Sequence, residues 1–296
     1  MKIVVTGSIG HIGKPLVPRL VANGHQLTVI TSKQQNAPVI EAMGAKAVTG
    51  SVEDVNLLTD TFSGADIVYT MVPSFYGAAD LLEFYRSVGE NYAEAIRQSG
   101  VKRVINLSSF GAHLSKGTGV ILGAHYVEEI LDELENVQIT HMRPTSFYYN
   151  LLSFADMIRN QGFIAINCGG NDLIQLVHPD DIAAAIADEA AQPGTHRKIR
   201  YVMSDERTCS EIAAAIGKEI GKPDLEWRLI SDEEARNRYL QAGVPPLLAQ
   251  YLTEIYSSLH NGKLAEDLVH HRPEYGKIKL EDYAREFAVI YNGKNN

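Results

Sequence analysis

The chain has 296 residues, of which 45% are hydrophobic and 21% charged, a balance that excludes a disordered chain and suits a globular protein with a large core. With 36 acidic and 27 basic side chains the net charge is −9, which sets nucleic acid aside as the main partner because phosphate binding needs clustered Lys and Arg. Two cysteines, Cys168 and Cys209, are too few and too far apart in sequence for a disulfide framework or a CxxC metal site. No apolar run approaches the ~18–20 residues a bilayer needs. The opening segment meets Gly7 after a few apolar residues, too soon for the apolar region of roughly 7–15 residues in a signal peptide. The expectation is a cytoplasmic protein without a membrane partner.

In chain order, Lys2 to Thr6 reads as a strand, followed by a glycine turn and a helix to about Asn23. Further strands are predicted at Gln26 to Thr31, Ala45 to Thr49, Asp66 to Val72, Arg103 to Leu107 and Gln138 to Met142. Helical stretches such as Asp80 to Gln98 and Ala124 to Leu134 lie between them. Strands alternating with helices predict βαβ units, hence an α/β fold whose doubly wound parallel sheet is covered on both faces. After Arg143-Pro144 the alternation weakens. Phe163 to Gly170 is short and glycine-bounded, and Leu173 to Val177 is a strand candidate. His178-Pro179 opens an Ala-rich helix, with Asp180 or Asp181 as its expected cap. From Thr208 onward the pattern is mainly helical, interrupted by Pro223, Pro245-Pro246 and Pro273. The expected division is a first domain over 1–150 and a smaller, mainly helical lobe over 151–296. A segment near 173–190 is expected to return to the first domain.

Gly7-Ser8-Ile9-Gly10-His11-Ile12-Gly13 falls between the first strand and the first helix, spaced GxxGxxG. A tight turn that lets a phosphate approach the backbone needs residues without a Cβ. The helix start then offers unpaired N–H groups and the positive dipole end. That context predicts a dinucleotide pyrophosphate at this turn. The end of the second strand should meet the adenosine ribose. An acid there would accept from a 2′-hydroxyl, but this chain has Thr31-Ser32-Lys33 and no acid before Glu41. One cation and two hydroxyls favour a 2′-phosphate, so NADP(H) is expected and NAD(H) is less favoured.

The run Val5 to Gly13 resembles the start of an atypical short-chain dehydrogenase/reductase. Later features are similar to the NmrA-like group, near its quinone and triphenylmethane dye reductases. They include Gly50-Ser51, Ser108-Ser109, the run Thr140-His141-Met142-Arg143-Pro144 through Phe147 to Asn150, and His178 to Ala183. Ser210 to Pro223 and Ala242 to Pro245 extend the likeness to most of the chain. The resemblance implies a Rossmann-type NAD(P)-binding domain with a smaller substrate lobe. It places Gly7, Ser8, Gly10, His11, Ile12 and Gly13 at the pyrophosphate, and Thr31, Ser32 and Lys33 at the ribose phosphate. Ser51 and Val52 would lie at the adenine and Met71, Val72 and Pro73 along the nicotinamide ribose, and Ser108 is also expected to bind the cofactor. Ser51 stands where the family often has Asp, and Lys33 where Arg is more usual.

Conventional members use Tyr-x-x-x-Lys, in which the lysine lowers the tyrosine pKa so that it can give up a proton. Here Tyr126 is followed at that spacing by Ile130, and the one Tyr-x-x-x-Lys among 14 tyrosines is Tyr275 to Lys279, deep in the C-terminal lobe. An ordinary ketone needs a proton donor for its developing alkoxide. A quinone-like or other conjugated acceptor delocalises the charge of the hydride adduct, and correct positioning can suffice. The predicted activity is therefore NADPH-dependent hydride transfer to a small conjugated acceptor. Phe75, Tyr76, Phe110, Tyr126, Phe147, Tyr148 and Tyr149 are the candidate stacking rings. The alternative is a non-catalytic NADP(H) sensor with a regulatory protein partner; a sugar-nucleotide epimerase would need the missing dyad. Oligomeric state is left open. His spacing matches no HExxH or HxxxH, so no metal is expected.

Overall fold

A computed structural model describes residues 1–73 and 80–293. Phe75 and Tyr76 lie outside the described residues. The first half runs β1 (Lys2–Val5), α1 (Gly13–Ala22), β2 (Gln26–Thr31), α2 (Ala37–Ala42), β3 (Lys46–Thr49), α3 (Val55–Phe62), β4 (Ile67–Thr70), α4 (Leu81–Ser99) and β5 (Arg103–Leu107). It continues with α5 (Ile121–Asp132) and β6 (Gln138–Pro144), then β7 (Ser146–Phe147), α6 (Ala155–Gln161), β8 (Phe163–Ile166), β9 (Leu173–Val177), α7 (Pro179–Ala191) and β10 (Arg197–Val202). The last part comprises β11 (Asp205–Thr208), α8 (Cys209–Glu219), β12 (Glu226–Leu229), α9 (Asp232–Gln241), α10 (Pro246–His260) and α11 (Leu280–Gly293).

Seven strands form one sheet in the order β10-β6-β5-β4-β1-β2-β3, and the pairs from β6 to β3 are all parallel. The chain winds from β1 through β2 to β3, then crosses back to β4 and on to β6. The strand order therefore reverses beside β1, and the carboxyl ends of β1 and β4 flank the crevice where such sheets bind ligands. Local sequence explains the covering helices. Asp54 caps α3 by accepting from Leu57 N at 3.0 Å, and Asp80 caps α4 by accepting from Leu82 N and Glu83 N. Val88, Tyr92, Ala95 and Ile96 recur at helical spacing and bury one face of α4 against Val68, Val104 and Ile139 in the same core. Buried polar side chains are paired within the sheet: Thr70 donates to Asn106, whose amide meets His141 Nδ1 at 3.1 Å.

By its contacts the chain forms two compact units, the first comprising 1–112, 123–143 and 182–200, the second 113–122, 144–181 and 201–296. The division thus differs from the one expected at residue 150, and the returning segment is 182–200 rather than 173–190. The reason is strand pairing. β9 belongs to the second unit, between β11 and β7, whereas β10 joins the seven-stranded sheet beside β6. The second unit also pairs β12 with β8. Its α8 begins with a capping box, Thr208 accepting from Glu211 N while Glu211 accepts from Thr208 N. At α7, His178 does the capping expected of an aspartate: its Nδ1 accepts from Asp180 N at 3.1 Å. Asp181 instead accepts from Ser204 Oγ, Lys277 N and Ile278 N.

Candidate functional site

The glycine turn lies at the carboxyl end of β1. Gly7 has φ +86°, and a Cβ there would stand 2.4 Å from Met71 Sδ, so the thioether packs directly over the turn. Gly13 is equally constrained, since a Cβ would lie 1.9 Å from Ser8 O. Gly10 is different: it is exposed, and an added Cβ would meet only Gly7 O, at 4.0 Å. Space is therefore kept clear above Gly10, at the start of α1. The first turn of α1 contains no acidic residue, while Lys14 is exposed there. Lys14 N donates to Gly10 O and Leu16 N to Ile12 O, each at 3.0 Å, and Pro15 has no N–H, so what this end offers a phosphate is the positive end of the helix dipole. His11 is exposed and Ile12 is buried beneath it.

The β4 end is fixed by a second group of bonds. Met71 N donates to Thr6 Oγ1 at 3.0 Å, and the Tyr92 hydroxyl donates to Met71 O at 2.7 Å. Tyr92 is fully buried, and burial pushes its phenol above the ordinary value, so it remains a neutral donor. Val72 packs against the core, and Met71, Val72 and Pro73 are each half-buried.

At the β2 end, Ser32 and Lys33 are exposed and Lys33 forms no ion pair among the described residues. Thr31, in contrast, is buried, and its hydroxyl receives Ser8 Oγ at 2.9 Å. Gly50 N donates to Thr31 O, which brings Ser51 beside the β2 end; Val52 is buried in the core. Ser51 Oγ accepts from Glu53 N at 3.1 Å.

Ser108, at the end of β5, donates to Glu128 Oε1 at 2.5 Å. Arg143 holds the same carboxylate through Nε at 2.9 Å and Nη2 at 2.6 Å, with both charged side chains buried. Of the candidate rings, Phe110 is buried, and Tyr126 carries the Arg86 guanidinium 3.4 Å from its ring centroid. In the second unit Phe147 stacks on Tyr149 at 5.0 Å. Tyr148 is fully buried and stacked on Tyr283, so its visible role there is packing. Lys279 directs its ammonium to the carbonyls of Ser204 and Gly276, and Tyr275 is bridged to Met203, so that pair has a structural explanation. Asn36, Tyr92, Glu128 and Arg86 escaped sequence reasoning, because each is defined by a partner distant in the chain.

Cys168 and Cys209 are free, buried and only 3.9 Å apart at sulfur. The neighbouring Cys209 sulfur and burial push the Cys168 thiol up, which keeps it protonated and unreactive. Among the described residues no cluster of His, Cys, Asp or Glu could hold a metal ion, and no helix is long and apolar enough to cross a membrane.

The sheet order, the reversal beside β1 and the glycine turn define a Rossmann-type α/β protein. The chain belongs to the NmrA-like family, whose model matches residues 1–283. It is 24% identical to an NAD(P)H azoreductase of Xenophilus azovorans, over 86% of each chain. Its structure is similar to the triphenylmethane reductase of Citrobacter sp., with a TM-score of 0.79, 20% identity and coverage of 98% of this chain and 100% of that one. It is also similar to an NADPH-dependent quinone oxidoreductase of Escherichia coli crystallised with NADPH. There the TM-score is 0.78 with 19% identity, covering 99% of this chain and 100% of that one.

Proposed function

We propose that the protein is an NADPH-dependent reductase of quinone-like or other conjugated acceptors. The observation that carries this reading is the space kept open above Gly10 at the start of α1, beside an exposed Ser32-Lys33 pair. The turn from Gly7 to Gly13 would hold the pyrophosphate, Ser32 and Lys33 the 2′-phosphate, and the Met71-Val72-Pro73 segment one side of the nicotinamide ribose. When bound, NADPH supplies the hydride. The related proteins named above are an azoreductase, a dye reductase and a quinone oxidoreductase, and their names fit the same class of acceptor.

The chain's own residues supply binding and orientation. Tyr92 and Thr6 hold Met71 against Gly7, which fixes the floor of the turn. Glu128 takes the Ser108 proton in a hydrogen bond, so this hydroxyl faces any ligand as an acceptor rather than a donor. It is thus poorly suited to stabilise an alkoxide, in keeping with an acceptor that spreads its own charge. With no lysine four residues on, Tyr126 lacks the Tyr-x-x-x-Lys pair, and its ring instead carries the Arg86 guanidinium. Tyr126→Phe is expected to keep turnover with a quinone within about twofold, since the ring remains. Loss of turnover in that variant would make Tyr126 the proton donor.

Cofactor choice gives a second expectation. Lys33→Glu removes the exposed Lys33 cation at the β2 end and puts there a charge of the same sign as the 2′-phosphate. NADPH should weaken about ten- to thirtyfold more than NADH. Equal weakening of both in a fluorescence titration would reduce Lys33 to a surface charge.

A further inference from the structure

Resting on the reading of the glycine turn as a dinucleotide site, a further role emerges at the β2 end. Thr31 stands where the adenosine ribose would be met, yet only 1% of it is exposed. Its oxygen is the centre of a knot, accepting from Ser8 Oγ at 2.9 Å, Lys33 N at 3.2 Å and Asn36 Nδ2 at 3.2 Å. The Thr31 proton points back to Lys33 O at 3.4 Å. A hydroxyl oxygen has two lone pairs, and three donors already share them. Thr31 therefore has nothing left to offer a phosphate.

Asn36 ties the knot together. Its Nδ2 carries two protons, one aimed at Thr31 Oγ1 and the other at Ser8 Oγ at 3.0 Å. The polarity is consistent throughout: the amide donates to both hydroxyls, and Ser8 donates to Thr31. Ser8 also has φ +59°, a backbone region that a residue with a Cβ rarely occupies without restraint. Its side chain is held by Asn36 and Thr31, and its N–H by Ile30 O at 3.2 Å.

We propose that Asn36 is the positioning residue of the glycine turn: it clamps Ser8 onto Thr31, holds the turn in its left-handed conformation, and leaves the 2′-phosphate to Ser32 and Lys33. Two jobs that adjoin in sequence are thus separate. Lys33 reads the phosphate that distinguishes the two nucleotides. Asn36 shapes the part of the site that receives the pyrophosphate common to both.

The test compares Asn36→Ala with Lys33→Glu by titration with NADPH and with NADH. Asn36→Ala should weaken both nucleotides by one common factor, about tenfold for two lost hydrogen bonds, whereas Lys33→Glu acts chiefly on NADPH. Thr31→Val removes the centre of the knot, and the Asn36→Ala/Thr31→Val double variant should bind no more weakly than the worse single one. Selective weakening of NADPH by Asn36→Ala would place Asn36 on the phosphate and overturn the proposal, as would additive losses in the double variant. Hydrogen exchange on the nucleotide-free protein separates this from the functional reading. The Ser8 amide should exchange faster in Asn36→Ala than in the parent, and equal exchange would overturn the clamp. If the parent protein titrates with neither nucleotide, the functional reading falls, while the exchange result still decides the role of Asn36.

Discussion

Gly10→Val is expected to weaken NADPH binding by at least about a hundredfold while leaving the unliganded protein folded. The two halves of that expectation come from the same geometry. A Cβ at Gly10 would meet only Gly7 O at 4.0 Å, and Gly10 does not have a positive φ, so the protein itself accommodates the side chain. The branched side chain then fills the open space that a pyrophosphate needs at the start of α1. Gly7 and Gly13 would make poorer tests, because an added Cβ there collides with Met71 Sδ or Ser8 O and disturbs the fold directly. Calorimetric titration and thermal unfolding of the same sample separate binding from folding. Unchanged affinity in Gly10→Val would remove this turn as the phosphate site.

Glu128→Ala should have the largest effect on stability, a loss of about 3–5 kcal/mol in urea unfolding. Arg143 is buried, with 5% of its side chain exposed, and Glu128 holds it through two bonds. Removing the carboxylate takes from the buried guanidinium both of its bonds to Glu128 and also takes the acceptor from Ser108. Ser108→Ala, which leaves the ion pair whole, should cost far less. A Glu128→Ala loss below about 1 kcal/mol would mean that the pair contributes little.

The parts of the fold legible in the sequence are those where backbone geometry and apolar pattern coincide. β2, β5 and β9 lie where their β-branched runs place them, at Gln26–Thr31, Arg103–Leu107 and Leu173–Val177. β10 was hidden because Arg197, Lys198 and Arg200 break the apolar alternation. Their partners, Asp132, Asp188 and Glu189, come from elsewhere in the chain. β12 was hidden because only Trp227 of its four residues, Glu226–Leu229, is buried, so it carries no apolar alternation. The site divides in the same way. Glycine spacing is a backbone property, so the turn could be read directly. Thr31 could be placed at the β2 end, but the burial of its hydroxyl depends on Asn36 and on Ser8, 23 positions earlier. Tyr92 reads as an ordinary core position on α4, and nothing local shows that its hydroxyl reaches Met71 O. Cys168 and Cys209 look unrelated in sequence, yet the second unit brings their sulfurs to 3.9 Å.

Reductase and sensor readings share the nucleotide turn and part at turnover. The most direct measurement is anaerobic mixing of the protein with excess NADPH and either a quinone or a triphenylmethane dye, following loss of the reduced-nicotinamide absorbance. The proposed function predicts many turnovers per protein molecule with NADPH, slower turnover with NADH, and none in Gly10→Val. Tight NADPH binding without consumption by any conjugated acceptor would contradict the reductase and leave the sensor.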